Sequence, residues 1–265
     1  MKRYVKSGVS FNDDSYEFDY ENDSLNDIVS LKSYRIKSST FRGDVYWFGY
    51  EFNPGVSSKE RTKFIHALKG LSNINIPYND LQAFIEKPIV ELNRVHRLGL
   101  FDFFAYPVSG RSPLVSYMIQ EVGNWIQRDI SDVSFRLIKN LPSEIKFDWV
   151  RFKRDYDSDD KSEHNRFVQM SEYVNNVLIP SIESGSYFSL ANSVKAKYRP
   201  YITNFLMMEN SDIAKMYELD NASVLVVDDI NTTGSTLYEI LRILDKVNSS
   251  LNVYVFTLIG KPSNL

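Results

Sequence analysis

The chain has 265 residues, 43% of them apolar and 14% aromatic, which supplies a sizeable buried core and excludes intrinsic disorder. A formal net charge of −3, with no long basic stripe, argues against a general nucleic-acid binder. With no cysteine there is no disulfide framework, thiolate metal site or thiol nucleophile, and no segment reads as a signal peptide or a bilayer-spanning run, so the expected location is the cytoplasm.

The amino-terminal stretch, residues 1–98, opens acidic, carries β-like segments at 34–36 and 45–51, and predicts helices over 57–71 and 78–97. It reads as an elaboration preceding a core over 99–265. That core opens with an apolar run at 101–106, interrupted by Asp102, leading into Pro107, Val108, Ser109, Gly110, Arg111, Ser112 and Pro113. Ser112 suits a helix N-cap and Pro113 the first helical position. Leu114, Val115, Met118, Ile119, Val122, Trp125 and Ile126 then form one apolar helix face. A loop of this kind can present backbone N–H groups to an anion; its plainer reading is an ordinary turn before a helix.

Further strands are expected at 134–138 and 147–152. Asp155, Asp157, Asp159 and Asp160 imitate a calcium loop, but the sixth place lacks glycine and Arg166 stands where the bidentate glutamate belongs, so the stretch reads as solvated. His66, His96 and His164 are scattered and form no metal-ligand pattern. A long helix carries Phe167, Met170, Val174, Val177 and Leu178. Residues 185–200 then place Lys195, Lys197 and Arg199 within five positions, either as a cationic loop or as a solvated surface strand.

The most informative run comes last. Val224, Leu225, Val226 and Val227 read as a strand buried on both faces, and Asp228 and Asp229 sit at its carboxyl end, where open α/β sheets bind ligands. Beyond Asn231 come Thr232, Thr233, Gly234, Ser235 and Thr236, then a helix with Leu237, Ile240, Leu241, Leu244 and Val247 on one face. Backbone N–H groups and hydroxyls at a helix amino terminus favour a phosphate, and Gly234 allows close backbone approach. The plainer reading is a solvated acidic turn with Thr233 or Ser235 as the helix cap. A strand at 253–259 follows. A receiver domain is rejected because its acidic pair follows the first strand, and a P-loop because no Gly-Lys-Ser or Gly-Lys-Thr is present.

Residues 224–236 resemble the phosphoribosyl pyrophosphate (PRPP) signature of type I phosphoribosyltransferases. The resemblance implies an α/β fold, a parallel sheet flanked by helices, with residues 1–98 as the variable amino-terminal hood. It assigns Asp228 and Asp229 to the ribose hydroxyls and Thr232, Thr233, Gly234, Ser235 and Thr236 to the 5′-phosphate. Val108, Ser109, Gly110 and Arg111 would bind pyrophosphate. Lys197 and Arg199 would join the two acids as catalytic groups, on a mobile loop that closes over the leaving group. The implied cofactor is Mg2+, held mainly by substrate and water without a dedicated protein metal site, and the implied partners are PRPP and a small nitrogen acceptor, with no nucleic acid or membrane and with a homodimer left open. Thr232 stands where hypoxanthine and guanine transferases carry an acid, which disfavours a six-oxopurine acceptor. The loop is closer to ComF-like or orotate-type members, although the cysteine zinc module of the former is missing. A regulatory protein that senses PRPP or a nucleotide on the same fold is the alternative.

Overall fold

The computed structural model describes residues 3–5, 9–12, 15–18, 32–35, 45–50, 52, 57–109, 112–156, 161–185, 188–230 and 234–260. First come β1 (Arg3–Val5), β2 (Val9–Asn12) and β3 (Ser15–Phe18), an antiparallel ribbon of their own. Strands β4 (Lys32–Arg35) and β5 (Val45–Tyr50) precede helices α1 (Ser58–Leu68) and α2 (Tyr78–His96). After them lie β6 (Phe103–Pro107), α3 (Leu114–Ile126) and β7 (Ser134–Lys139). A mostly helical stretch follows: β8 (Lys146–Phe147), α4 (Trp149–Tyr156), α5 (Lys161–Tyr173), α6 (Ile179–Glu183), α7 (Leu190–Ser193), β9 (Ile202–Thr203), β10 (Leu206–Met208) and α8 (Asn210–Tyr217). The last described elements are β11 (Ser223–Ile230), α9 (Ser235–Val247) and β12 (Asn252–Ile259).

Seven strands form the main sheet in the order β10-β7-β6-β11-β12-β5-β4. The five inner strands are parallel, and β10 and β4 run antiparallel at the two edges. The expected parallel sheet flanked by helices is therefore present, with antiparallel edges of a kind common in such folds. Burial follows the two-residue period of β11. Val224 and Val226 enter the core layer that contains Leu237, Ile240 and Leu244, while Leu225 and Val227 enter the layer that contains Leu68, Ile89 and Leu114.

Chain handedness decides which helices cover which face. Passing from β6 to β7 and from β5 back to β6 moves one way across the sheet, so right-handed crossovers put α1, α2 and α3 on one face. Passing from β11 to β12 moves the other way and puts α9 on the opposite face. The crossovers diverge between the neighbouring strands β6 and β11, and there the connections leave a crevice at the strand carboxyl ends.

The sheet does not stop at residue 98. β5 pairs in parallel with β12 over Tyr254↔Val45 to Ile259↔Tyr50, so the proposed hood contributes an inner strand as well as two covering helices. α2 seats Pro88 against Gly49 of β5, where an added Cβ would lie 2.6 Å from the Pro88 Cβ, which explains the glycine in mid-strand. α1 begins with a capping box in which Glu60 N–H donates to the Ser57 hydroxyl and the Glu60 carboxylate accepts from Ser57 N–H.

Three local expectations are corrected. Residues 147–152 are strand only at Lys146–Phe147; Trp149, Phe152 and Tyr156 fall at helical spacing and α4 buries Phe152 fully while Val150 stays 84% exposed. The long helix over 161–183 is interrupted by a π turn at Val174–Leu178, where Ile179 N–H reaches back to the Val174 carbonyl. Pro180, which has no N–H to donate, follows immediately. At the start of α3 the capping position is Pro113, whose carbonyl accepts from Tyr117 N–H, while the buried Ser112 hydroxyl accepts from Leu114 N–H at 3.4 Å. The acidic stretch at 157–160 lies outside the described residues.

Candidate active site

β11 runs three residues beyond its aliphatic run, to Ile230, so Asp228 and Asp229 belong to the strand itself. Both are buried, at 5% and 6% exposure, in spite of their charge. Side chains alternate along a strand, so Asp228 falls on the α9 face, in register with the fully buried Thr257 of β12, and Asp229 on the face of α1 to α3. The Asp229 backbone N–H donates to the Asp228 Oδ1 at 2.9 Å, which fixes the Asp228 carboxyl.

The cation that meets this pair comes from an element that local sequence pattern does not connect with it. Lys69 Nζ lies 2.7 Å from Asp229 Oδ2 and 2.9 Å from Asp229 Oδ1. Lys69 is the C-cap of α1, and Gly70 beyond it adopts φ 64°, which ends the helix and aims the lysine at the carboxyl end of the sheet. A lysine beside a glycine at a helix end is the one trace of this in the sequence, and it does not reveal a partner 160 positions away. Burial, followed by the neighbouring Asp229 charge, pushes the Asp228 pKa up to about 7, against the smaller opposing effects of Lys69 and the Asp229 N–H. The two acids are thus unequal: one is paired with an ammonium, while burial makes the other keep its proton to higher pH than an ordinary carboxyl.

The described ends of both loops leave neighbouring strands, Val108 and Ser109 after β6 and Gly234 after β11. The residues between β6 and α3 leave the strand adjacent to β11; Val108 N–H donates to the Leu137 carbonyl, and Ser109 Oγ accepts from Ser112 N–H at 3.1 Å. Gly110 and Arg111 lie outside the described residues, as do Thr232 and Thr233. On the other side Gly234 is the residue capping α9, at φ 72°, a left-handed conformation that suits glycine. Its carbonyl accepts from Tyr238 N–H at 2.8 Å, and no side chain caps the helix from this position. Ser235 is buried and Thr236 half-buried at the first turn of α9, beside backbone N–H groups aimed out of the helix end.

The described residues of the 185–200 stretch do not form an open loop. They contain α7 and a 3-10 turn, Ala196–Tyr201, whose Tyr198 and Tyr201 are buried among Phe152, Tyr156 and Tyr173. Lys195 lies over the Tyr173 ring at 4.5 Å and Lys197 over the Tyr198 ring at 4.8 Å, while Arg199 Nε donates to the Val194 carbonyl at 2.8 Å. Lys195 and Lys197 stay exposed beside their rings, and Arg199, half-buried, is tied to the Val194 carbonyl. Two aromatic anchors three residues apart explain the packing: each buries a large ring, which outweighs the entropy of an open segment.

The donor set at the crevice is two carboxylates, hard oxygen ligands that suit a magnesium ion shared with substrate and water. Among the described residues no group of three or more His, Cys, Asp or Glu is placed to hold a metal alone. No described helix is long and apolar enough to cross a membrane.

Residues 133–265, half of the chain, match the phosphoribosyl transferase domain family. The match takes in β11, both acids and α9, and leaves out Lys69 and the loop after β6. Among solved structures the chain is similar to a hypoxanthine phosphoribosyltransferase from Staphylococcus aureus, at 15% identity and a TM-score of 0.34, over 70% of this chain and 66% of that one. No curated protein matches the chain.

Proposed function

We propose, from the premise that this chain belongs to the phosphoribosyl transferase domain family, that it transfers the phosphoribosyl group of PRPP to a nitrogen acceptor and releases pyrophosphate. The observation that carries this reading is the placement of Asp228 and Asp229 at the divergence of the β6 and β11 crossovers, between two loops suited to anions. Ionised carboxylates accept hydrogen bonds only and suit the ribose diol, while the N–H groups at the start of α9 suit the 5′-phosphate. The loop after β6, with Val108 and Ser109, faces the same crevice and suits the diphosphate.

In the reaction the C1–O bond to pyrophosphate breaks as the acceptor nitrogen bonds to C1, through a transition state with oxocarbenium character. Stabilising the negative charge on the leaving group is then the main catalytic task. Magnesium would be held mainly by substrate oxygens and water, with Asp228 and Asp229 as the nearby carboxylates, and would supply neutralising charge at the diphosphate. Asp228, whose proton burial holds to higher pH than usual, must give up that proton to hold a ribose hydroxyl as a pure acceptor.

A second reading, a protein that senses PRPP without turning it over, is favoured by one observation: Lys197 lies over the Tyr198 ring and Arg199 donates to the Val194 carbonyl. Calorimetric titration with PRPP and magnesium, run beside the Asp228→Asn, Asp229→Asn double variant, tests both. Binding lost in the variant together with pyrophosphate release over a panel of bases and amines supports transfer. Binding without release supports sensing, and no binding by the wild type removes both.

A further inference from the structure

We propose that Lys69 is an exchange cation of this site: it holds Asp229 until the ribose hydroxyls of PRPP take that carboxylate, and it then compensates the diphosphate. This inference rests on the PRPP reading above and assigns it a residue outside the span of the family match.

The geometry motivates the first half. Lys69 engages both oxygens of Asp229, at 2.7 and 2.9 Å, so it fills one acceptor position on each and stands where a ribose diol would approach them. Ligand entry therefore competes with the ammonium for Asp229. The pair is largely sheltered, with 25% of the Lys69 side chain and 9% of the Asp229 side chain exposed, so displacing either charge without a new partner is costly. A ligand that brings both a diol and an anion removes that cost.

The second half follows from which face of the sheet Lys69 occupies. Lys69 closes α1, which shares its face with α3, and α3 is the helix that follows the Val108 to Ser112 loop. α9, whose amino terminus suits the 5′-phosphate, packs on the opposite face. An ammonium on a flexible four-carbon stem released from Asp229 is thus on the diphosphate side of the crevice. Lys195 and Lys197 lie over tyrosine rings and Arg199 donates to the Val194 carbonyl, whereas Lys69 already stands at the acids. Charge is conserved through the exchange: one carboxylate–ammonium pair becomes one diphosphate–ammonium pair, and Asp229 passes to the ribose.

The test separates the two halves of the ligand. Calorimetry with magnesium pyrophosphate and, separately, with ribose 5-phosphate is run on the wild type, Lys69→Met and Lys69→Arg. The expected result is a loss of about tenfold or more in pyrophosphate affinity for Lys69→Met, partial recovery in Lys69→Arg, and ribose 5-phosphate affinity unchanged or increased because Asp229 is uncovered. A merely structural role would weaken both probes alike, and that outcome, or unchanged pyrophosphate affinity, overturns the exchange. Wild type that binds PRPP with Lys69→Met indistinguishable from it overturns the exchange alone; wild type that binds none of the three ligands overturns the PRPP reading with it. Should Lys69→Met not fold, lysine methylation footprinting of the wild type decides the same question: ribose 5-phosphate should raise the reactivity of Lys69 and magnesium pyrophosphate should protect it, and the reverse order refutes the proposal.

Discussion

Replacing Asp228 with Asn should stabilise the protein at alkaline pH while removing its ligand binding. Asp228 is 5% exposed and sits beside Asp229, with the Lys69 ammonium bound to the other carboxylate. Its pKa is raised from 3.8 to about 7 in the folded protein, chiefly by burial and then by Asp229. For an acid shifted upward, the folded state keeps its proton where the unfolded state has lost it. No penalty exists below the unfolded value; stability then falls as pH rises from about 4 to about 7 and stays low above that window. Keeping a buried acid protonated where the unfolded chain would ionise it opposes folding by an amount on the order of 2–4 kcal/mol above that window. Asn keeps the oxygen that accepts from the Asp229 N–H, so the geometry survives the substitution. Urea unfolding of variant and wild type across this range should show near-equal stability at about pH 4 and the full gap at about pH 8, with a Tm higher by roughly 4–8 °C at the latter. A gap independent of pH, or a variant less stable at the alkaline end, would refute the account of Asp228 as a buried acid strained by its site.

The same proton supplies a second test: PRPP binding at about pH 6 should release close to one proton, and at about pH 8.5 almost none, as read by calorimetry in buffers of different ionisation enthalpy. Equal release at both ends would mean that Asp228 is not the group that ionises. Gly49→Ala should destabilise the fold by about 1–3 kcal/mol in denaturant unfolding, because the new Cβ meets Pro88 of α2 at 2.6 Å and the Leu258 carbonyl at 3.0 Å. A neutral result would show that β5 and α2 do not close on each other as described. Lys197→Ala should leave pyrophosphate affinity within about twofold of the wild type, since its ammonium lies over Tyr198; a large loss would return the leaving-group role to that residue.

How much was legible depended on the range of the interaction. The alternation and spacing of apolar residues located the helices over 57–71, 78–97 and 114–126 and the strands at 101–106, 134–138 and 253–259 to within a few residues, because those periods are local consequences of burying one face or two. Residues 147–152 misled for the same local reason: a short mixed apolar run fits either period, and packing of Phe152 into an aromatic cluster chose the helix. The cationic stretch at 185–200 read as a loop because its two anchoring rings are buried only by helices distant in the chain.

By itself the sequence determined the α/β class, the acidic strand end and the helix amino terminus beyond it, since strand, turn and helix are contiguous and each residue's role follows from its neighbours. Only the tertiary structure decided that β4 and β5 extend the sheet beyond β12, that Lys69 stands on Asp229, and that Lys197 lies over Tyr198 while Arg199 turns to the Val194 carbonyl. Those facts depend on strand order and crossover handedness, which bring together groups as far apart as Lys69 and Asp229. Nothing in the local pattern around either residue carries the identity of the other.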